Sequence, residues 1–319
     1  MNAQMNATAV PPNPAPGLQD IRALISAGKR KQFAFALLGV FCTMIALLTL
    51  VAAFLDLLID GLPRLTADFL THFPSRRATE AGILSAWVGS ALVMLVTMVA
   101  AVPLGVGAAV YLEEYAKKNW ITDLIEINVT NLAGVPSIIY GLLALGLFVY
   151  QFGFGQSVLS AGLTLALLIL PIVIVATREA LRAVPGHIRE AAYAMGATRW
   201  QMVSDHLLPY SAGGIMTGVI IGMARAIGET APIITIGALT FIAFLPPSPI
   251  SGSAPFINFD WLMAEFTVLP IQMFNWVSRP DKAFQLNAAA AGVILLAMTL
   301  VMNGLAIYIR YQVRKKIKW

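Results

Sequence analysis

Six runs of twenty or more predominantly apolar residues divide the sequence, at about Phe33–Leu58, Ser85–Leu112, Leu132–Phe152, Val158–Thr177, Gly213–Leu245 and Ala288–Ile309. Roughly 20 such residues in a helix cross a ~30 Å hydrocarbon core. In that medium each backbone N–H and C=O must find its partner inside the protein, and for segments this long and apolar the helix supplies it. The expected class is all-α: a polytopic membrane protein with six transmembrane helices. Composition agrees, since only 12% of the 319 residues are charged, where a soluble domain carries about 25%. The second and fifth runs contain Pro or several Gly, so they are expected to tilt or break.

The first run exceeds the roughly 7–15-residue apolar core of a cleaved signal peptide and lacks a small-x-small cleavage site. It is expected to stay as an extra N-terminal helix over 33–60. A tail at 1–32 precedes it, disordered up to about Gly17, where Pro11, Pro12, Pro14 and Pro16 cluster. An outer loop at 61–84, a five-helix domain at 85–309 and a basic tail at 310–319 complete the expected layout. Cys42, the single cysteine, lies inside the first run and is a small apolar packing residue.

Orientation follows from Lys and Arg placement. With both termini in the cytoplasm, fifteen Lys and Arg residues fall on inner segments and five on outer ones, with Arg225 left in the membrane. Anionic inner-leaflet lipid accounts for the net charge of +5, and no nucleic acid is needed as a partner.

That orientation puts one polar island, 178–212, on the cytoplasmic side. Its centre reads Glu190-Ala191-Ala192-Tyr193-Ala194-Met195-Gly196, and it runs on through Thr198 and Trp200 to Leu208-Pro209. Ile188–Met195 is helical in composition, and Gly196 stands where a helix end favours a residue able to take positive φ. Thr198 with Gln201 is a capping-box pattern that starts a second helix. Two short helices meeting at a corner, smooth at Ala191 and Ala192, make a docking site for another protein.

The spacing Glu190-Ala191-Ala192, Gly196, Leu208-Pro209 resembles the EAA signature of binding-protein-dependent ABC importer permeases, with His206 where that pattern has an aliphatic residue. Three further stretches are similar to phosphate importer permeases: Pro103-Leu104-Gly105 with Tyr111-Leu112-Glu113-Glu114-Tyr115, Val135-Pro136-Ser137-Ile138-Ile139-Tyr140-Gly141, and Ala224-Arg225-Ala226-Ile227-Gly228-Glu229-Thr230-Ala231-Pro232. The Gly228–Pro232 form and Pro270-Ile271-Gln272-Met273-Phe274-Asn275 resemble the PstA-type subunit rather than its PstC-like partner. The resemblance implies a type I importer permease fold. It also implies that Glu190, Ala191, Ala192 and Gly196 couple to a cytoplasmic ATPase dimer (PstB-like). A homologous PstC-like permease subunit and an outer-side phosphate-binding protein (PstS-like) are the other implied partners, with membrane lipid around them and phosphate as the translocated anion.

Arg225 and Glu229 are four residues apart and share a helix face. An arginine at helix centre costs roughly 2.5–3.5 kcal/mol on insertion scales, so it marks a functional site. One helical ion pair returns only about 0.2–0.5 kcal/mol. A water-filled path, a partner subunit or an anionic substrate must supply the rest, and guanidinium suits phosphate. Arg225, Glu229 and Thr230 are the candidate residues of a translocation path; a structural ion pair between Arg225 and Glu229 is the competing reading.

Pro136, Gly134 and Gly141 are expected to shape helix packing. Trp261, Phe266, Phe274 and Trp276 mark the outer 246–287 segment as interfacial. The sequence has no G-x-x-x-x-G-K-[ST] phosphate loop. The chain is therefore expected to be no enzyme by itself, to hold no cofactor or metal, and to take ATP energy from another subunit. Two other readings stay open at this point: a permease for sulfate, molybdate or phosphonate, and a regulatory membrane protein that does not transport.

Overall fold

The computed structural model describes residues 18–250, 256 and 258–316. The chain forms two compact units, residues 1–56 and 57–319. The first unit carries most of one 44-residue helix, α1 (Leu18–Gly61). From Phe33 to Leu55 α1 carries no charge on any face, which suits a membrane span and not the surface of a globular domain. Its polar hydroxyls are spent locally, Thr43 Oγ1 and Thr49 Oγ1 donating to the carbonyls of Gly39 and Ile45. The helix begins upstream of the expected boundary at residue 33, and residues 1–17 of the expected tail lie outside the described residues.

In the second unit the expected outer loop is ordered. A short helix, α2 (Ala67–Thr71), buries Phe69. Arg64 fastens the turn after it, donating to Asn287 Oδ1 and to the carbonyls of Ala78, Thr79 and Ala81. The core is then built by α3 (Leu84–Val110), α6 (Val158–Arg182) and α9 (Leu208–Ile227). The contact between α3 and α6 is the most extensive of the bundle. Val93, Val96, Leu165, Ile169, Val173, Val219 and Met223 interlock at its centre.

Among the described residues, five helical stretches are long and apolar enough to cross a membrane: Lys31–Arg64, Leu84–Tyr115, Val158–Arg182, Arg199–Ile227 and Ala283–Gln312. The third expected span, Leu132–Phe152, falls on a bent pair that makes a sixth if it is taken as one. Helix α4 (Trp120–Leu132) and helix α5 (Ser137–Ala144), which winds on to Gln151, meet at 108°. Pro136 causes the break, because its ring excludes a continuous helix through 133–136. Tyr140 then fixes the corner, its hydroxyl donating to the C=O of Leu132 at 2.8 Å.

The fifth expected span, Gly213–Leu245, is also interrupted. Helix α9 stops at Ile227, residues 228–230 are unwound, and a short helix α10 (Ala231–Ile236) follows. Gly141 lets α5 lie directly on α10; a Cβ there would meet Thr235 Oγ1 and the Pro232 backbone. Gly134, Pro136 and Gly141 thus sit at the bend and at this helix contact, which matches the packing role expected of them.

The outer segment departs from expectation in its burial. Trp261, Phe266 and Trp276 are core residues, and only Phe274 is exposed. Helix α11 (Leu269–Val277) lies against α12 (Ala283–Lys316) and the start of α3, and Trp276 stacks between Phe69 and Phe284. The Ser90 hydroxyl accepts from the Leu269 N–H, and Ser85 donates to the Ile242 carbonyl. These buried bonds tie Ile242 and Leu269 to α3, so the aromatic residues beside Leu269 pack inward.

Candidate functional site

The polar island folds as the corner its sequence suggested. Helix α7 (Gly186–Ala194) ends at Gly196, whose φ of +85° lies in the left-handed region that favours glycine. Helix α8 (Arg199–Gln201) starts with both capping-box bonds in place. The Gln201 N–H donates to Thr198 Oγ1 at 3.3 Å, and the Thr198 N–H donates to Gln201 Oε1 at 2.9 Å. The chain then widens to π winding over Met202–Leu207 and enters α9.

One face of the corner rests on the bundle through a small apolar cluster of Val110, Leu181, Ala192, Met202, Val203 and Leu207. Ala192 therefore points inward and lets α7 lie close to the bundle, so the outward surface is Glu190, Ala191 and Tyr193 through Gly196. Met195 is 89% exposed and Trp200 63%. Two large apolar side chains thus stand outward on this turn. His206 is exposed, while its neighbour Leu207 is fully buried. The extra residue of the π turn moves the apolar position by one, so the departure at 206 costs the corner no packing.

The corner is also held by charge. Helix α3 ends in a π turn, Tyr111–Tyr115. Arg189 on α7 donates to Glu114 Oε1 at 2.9 Å from Nη2, and to the carbonyls of Leu181 and Val184. Arg178, near the end of α6 and 6% exposed, bridges Glu113 at 3.3 Å and Glu126 of α4 at 2.8 Å. Arg182 engages the same two carboxylates. Arg199 stands over the Tyr115 ring at 5.5 Å. The acidic members of this network were not picked out as site residues from the sequence. The available signal was that two adjacent carboxylates end an apolar helix, while Arg178 and Arg182 share a helix face.

Arg225, Glu229 and Thr230 lie together at the break between α9 and α10. Arg225 is in the last turn of α9, where a cation meets the negative end of the helix dipole. A 20-residue helix is about 30 Å long, so Arg225 sits near the end of its span and not at the centre expected from a run over 213–245. Its Nε donates to Glu229 Oε1 at 3.4 Å. The Glu229 side chain is 19% exposed and borders a cavity of about 10 Å³, room for one water. Ser90, Val93 and Met94 of α3 line the same cavity. Thr230 is the residue before α10, and its carbonyl accepts from the Ile234 N–H. The ion pair engages Nε of the guanidinium, and 39% of the Arg225 side chain is exposed.

Known proteins match this architecture. A solved bacterial alginate ABC transporter has a chain that superimposes with a TM-score of 0.63 at 15% identity, covering 90% of this chain and 96% of that one. A chain of the MetNI methionine ABC transporter, in inward-facing conformations, gives 0.56 at 18% identity over 72% and 95%. At such identities the likeness is one of fold. Sequence relatives come nearer. A probable ABC transporter permease protein, YqgI of Bacillus subtilis, is 32% identical over 279 residues, 86% of this chain and 94% of its own. The phosphate transport system permease protein PstA of Yersinia pestis is 35% identical over 253 residues, 78% of each chain. That of Xylella fastidiosa is 32% identical over 250 residues, 77% of this chain and 81% of its own. Residues 101–318, which hold both the docking corner and the α9–α10 break, match the family described as binding-protein-dependent transport system inner membrane component, and the chain belongs to that family as a PstA-type ABC permease.

Proposed function

We propose that this chain is the transmembrane permease subunit of an ATP-driven importer for inorganic phosphate. The carrying observation is the exposed corner Glu190–Gly196, fastened to the ends of α3 and α6 in a sequence with no nucleotide-binding loop. On this reading a cytoplasmic ATPase dimer docks at that corner. A homologous permease subunit supplies the other half of the path, and a binding protein delivers phosphate to the opposite face. Both termini lie in the cytoplasm, and hydrolysis takes place on the ATPase.

Phosphate as the substrate rests on two supports. Several relatives are phosphate transport system permease proteins of the PstA type. Arg225 sits at an unwound break, and broken helices are where membrane carriers place their substrate contacts. Guanidinium offers a planar pair of donors to an oxyanion. Glu229 beside it holds the arginine in place and weakens the anion's grip, which favours release over retention. Alternating access follows if ATPase closure pushes the corner and biases the bundle between outward and inward forms.

The test is uptake of radiolabelled phosphate into proteoliposomes carrying this chain with its homologous permease, ATPase and binding protein. Accumulation that needs ATP and is not displaced by sulfate, molybdate or phosphonate is the expected result. Uptake of one of those anions in place of phosphate would reassign the substrate, and ATP hydrolysis with no uptake of any of them would point to a regulatory role.

A further inference from the structure

We propose that the Tyr111–Tyr115 π turn is the relay that carries movement of the docking corner into α3, an inference that rests on the importer reading above. The corner is joined covalently to α6, through 183–185, and to α9, through Met202–Leu207. Helix α3 has no such joint; besides the apolar contact of Val110 with the corner, its tie is this turn.

Both halves of the corner are fastened to these five residues. Glu114 takes the guanidinium of Arg189 on α7, and Tyr115 lies under Arg199 of α8. Glu113 takes Arg178 and Arg182 from the last turns of α6. The Glu114 side chain is 9% exposed and that of Arg189 22%. Arg189 spends its planar fork on three acceptors, the Glu114 carboxylate and the carbonyls of Leu181 and Val184. An apolar contact lets one helix slide over another, whereas a filled guanidinium fork has fixed directions and resists displacement. A push on α7 is therefore passed to the end of α3.

At its other end α3 reaches the substrate break. Ser90, Val93 and Met94 border the cavity beside Glu229. Helix α3 runs unbroken from Leu84 to Val110 despite Pro103, and its lengthwise contact with α6 supports it over that distance. Winding of the π type, with one residue more per turn than an α-helix, is itself common at working sites in helices.

The experiment uses the full complex in proteoliposomes, with wild type, Glu114→Gln, Tyr115→Leu, Glu114→Arg, Arg189→Glu and the double reversal compared. Glu114→Gln is expected to keep the ATPase on the purified complex and to lower phosphate moved per ATP by about tenfold, within the range of ordinary coupling energies. The double reversal is expected to recover transport beyond either single reversal. A phosphate-to-ATP ratio within about twofold of wild type for Glu114→Gln overturns the proposal, since that is the scatter of independent sites. Loss of the ATPase from the purified complex also overturns it, because the turn would then only shape the docking surface. If Glu114→Gln fails to insert, Tyr115→Leu is held to the same two readouts. Wild-type vesicles that take up no phosphate defeat the importer reading instead. The relay is then judged on stimulation of ATP hydrolysis by the binding protein, where an undiminished response in Glu114→Gln overturns it.

Discussion

Arg225 and Glu229 meet at 3.4 Å across the end of α9, with Gly228 closing the helix between them. The pair is thus a junction between a helix and an unwound segment, and not a bridge along a continuous helix face. Replacing Arg225 removes a charge without removing a core side chain, since 39% of its side chain is exposed. Arg225→Gln is expected to abolish phosphate uptake while the chain still inserts and still holds its partners. Uptake assays and co-purification check this together. Loss of assembly would return the pair to a purely structural role.

Gly196 takes a φ of +85° with open space around its Cβ position, so a side chain there is strained by backbone conformation and not by collision. Gly196→Asp costs roughly 1–2 kcal/mol in the left-handed region and adds a charge to the contact surface. Glu190→Lys leaves the fold alone and reverses a charge on the exposed face of α7. Both variants are expected to lose stimulation of ATP hydrolysis by the binding protein. Normal stimulation in either would remove the corner from the coupling mechanism.

Arg178 is a different kind of residue from Arg225. It is 6% exposed and satisfies two carboxylates from two other segments. Arg178→Met leaves Glu113 and Glu126 facing each other with Arg182 as their remaining cation. The expected loss is about 3 kcal/mol, the low end for breaking a buried pair, because Glu126 retains some water contact. A lowered midpoint of thermal unfolding in detergent is the measurement. An unchanged midpoint would mean that Arg182 takes over both carboxylates.

Gly141 is where α5 touches α10. An added methyl meets Thr235 Oγ1 and the Pro232 backbone, and α10 begins directly after Thr230. Gly141→Ala is expected to displace α10, at an overpacking cost of about 1–3 kcal/mol. Uptake should fall while the ATPase remains bound, because the corner lies at the far end of α9. Wild-type uptake in this variant would show that α10 can shift without consequence.

The corner at Gly196 was legible because its determinants are local. Gly196, Thr198 and Gln201 each act on backbone groups within three residues, and sequence spacing reports that directly. The membrane spans were legible from apolar run length, five as long helices and one as a bent pair. The length and glycines of the 213–245 run marked it as tilted or broken, but hydropathy did not give Gly228 as the place. The bend before Ser137 lay inside another apolar run, although Pro136 marked it. Trp276 and Phe266 looked like interfacial anchors because aromatic residues in an outer segment suit either a headgroup layer or a core. Only the attachment of Ile242 and Leu269 to α3 separates the two. The ion network was hidden for a similar reason, because Glu114 and Arg189 are 75 residues apart and no local rule pairs them.

Helical winding with a spare residue recurs in this chain, over Tyr111–Tyr115, Leu145–Gln151 and Met202–Leu207. A π turn is an α turn that has absorbed an insertion, with the flanking faces kept in phase. Removing one residue from Met202–Leu207, such as Ser204, would leave an ordinary α turn with Leu208 and α9 still facing as before. Elsewhere in α9 the same deletion would rotate all that follows by about 100°. Among the described residues the chain thus carries its tolerance for length change at three marked places, two of them at the corner around Gly196.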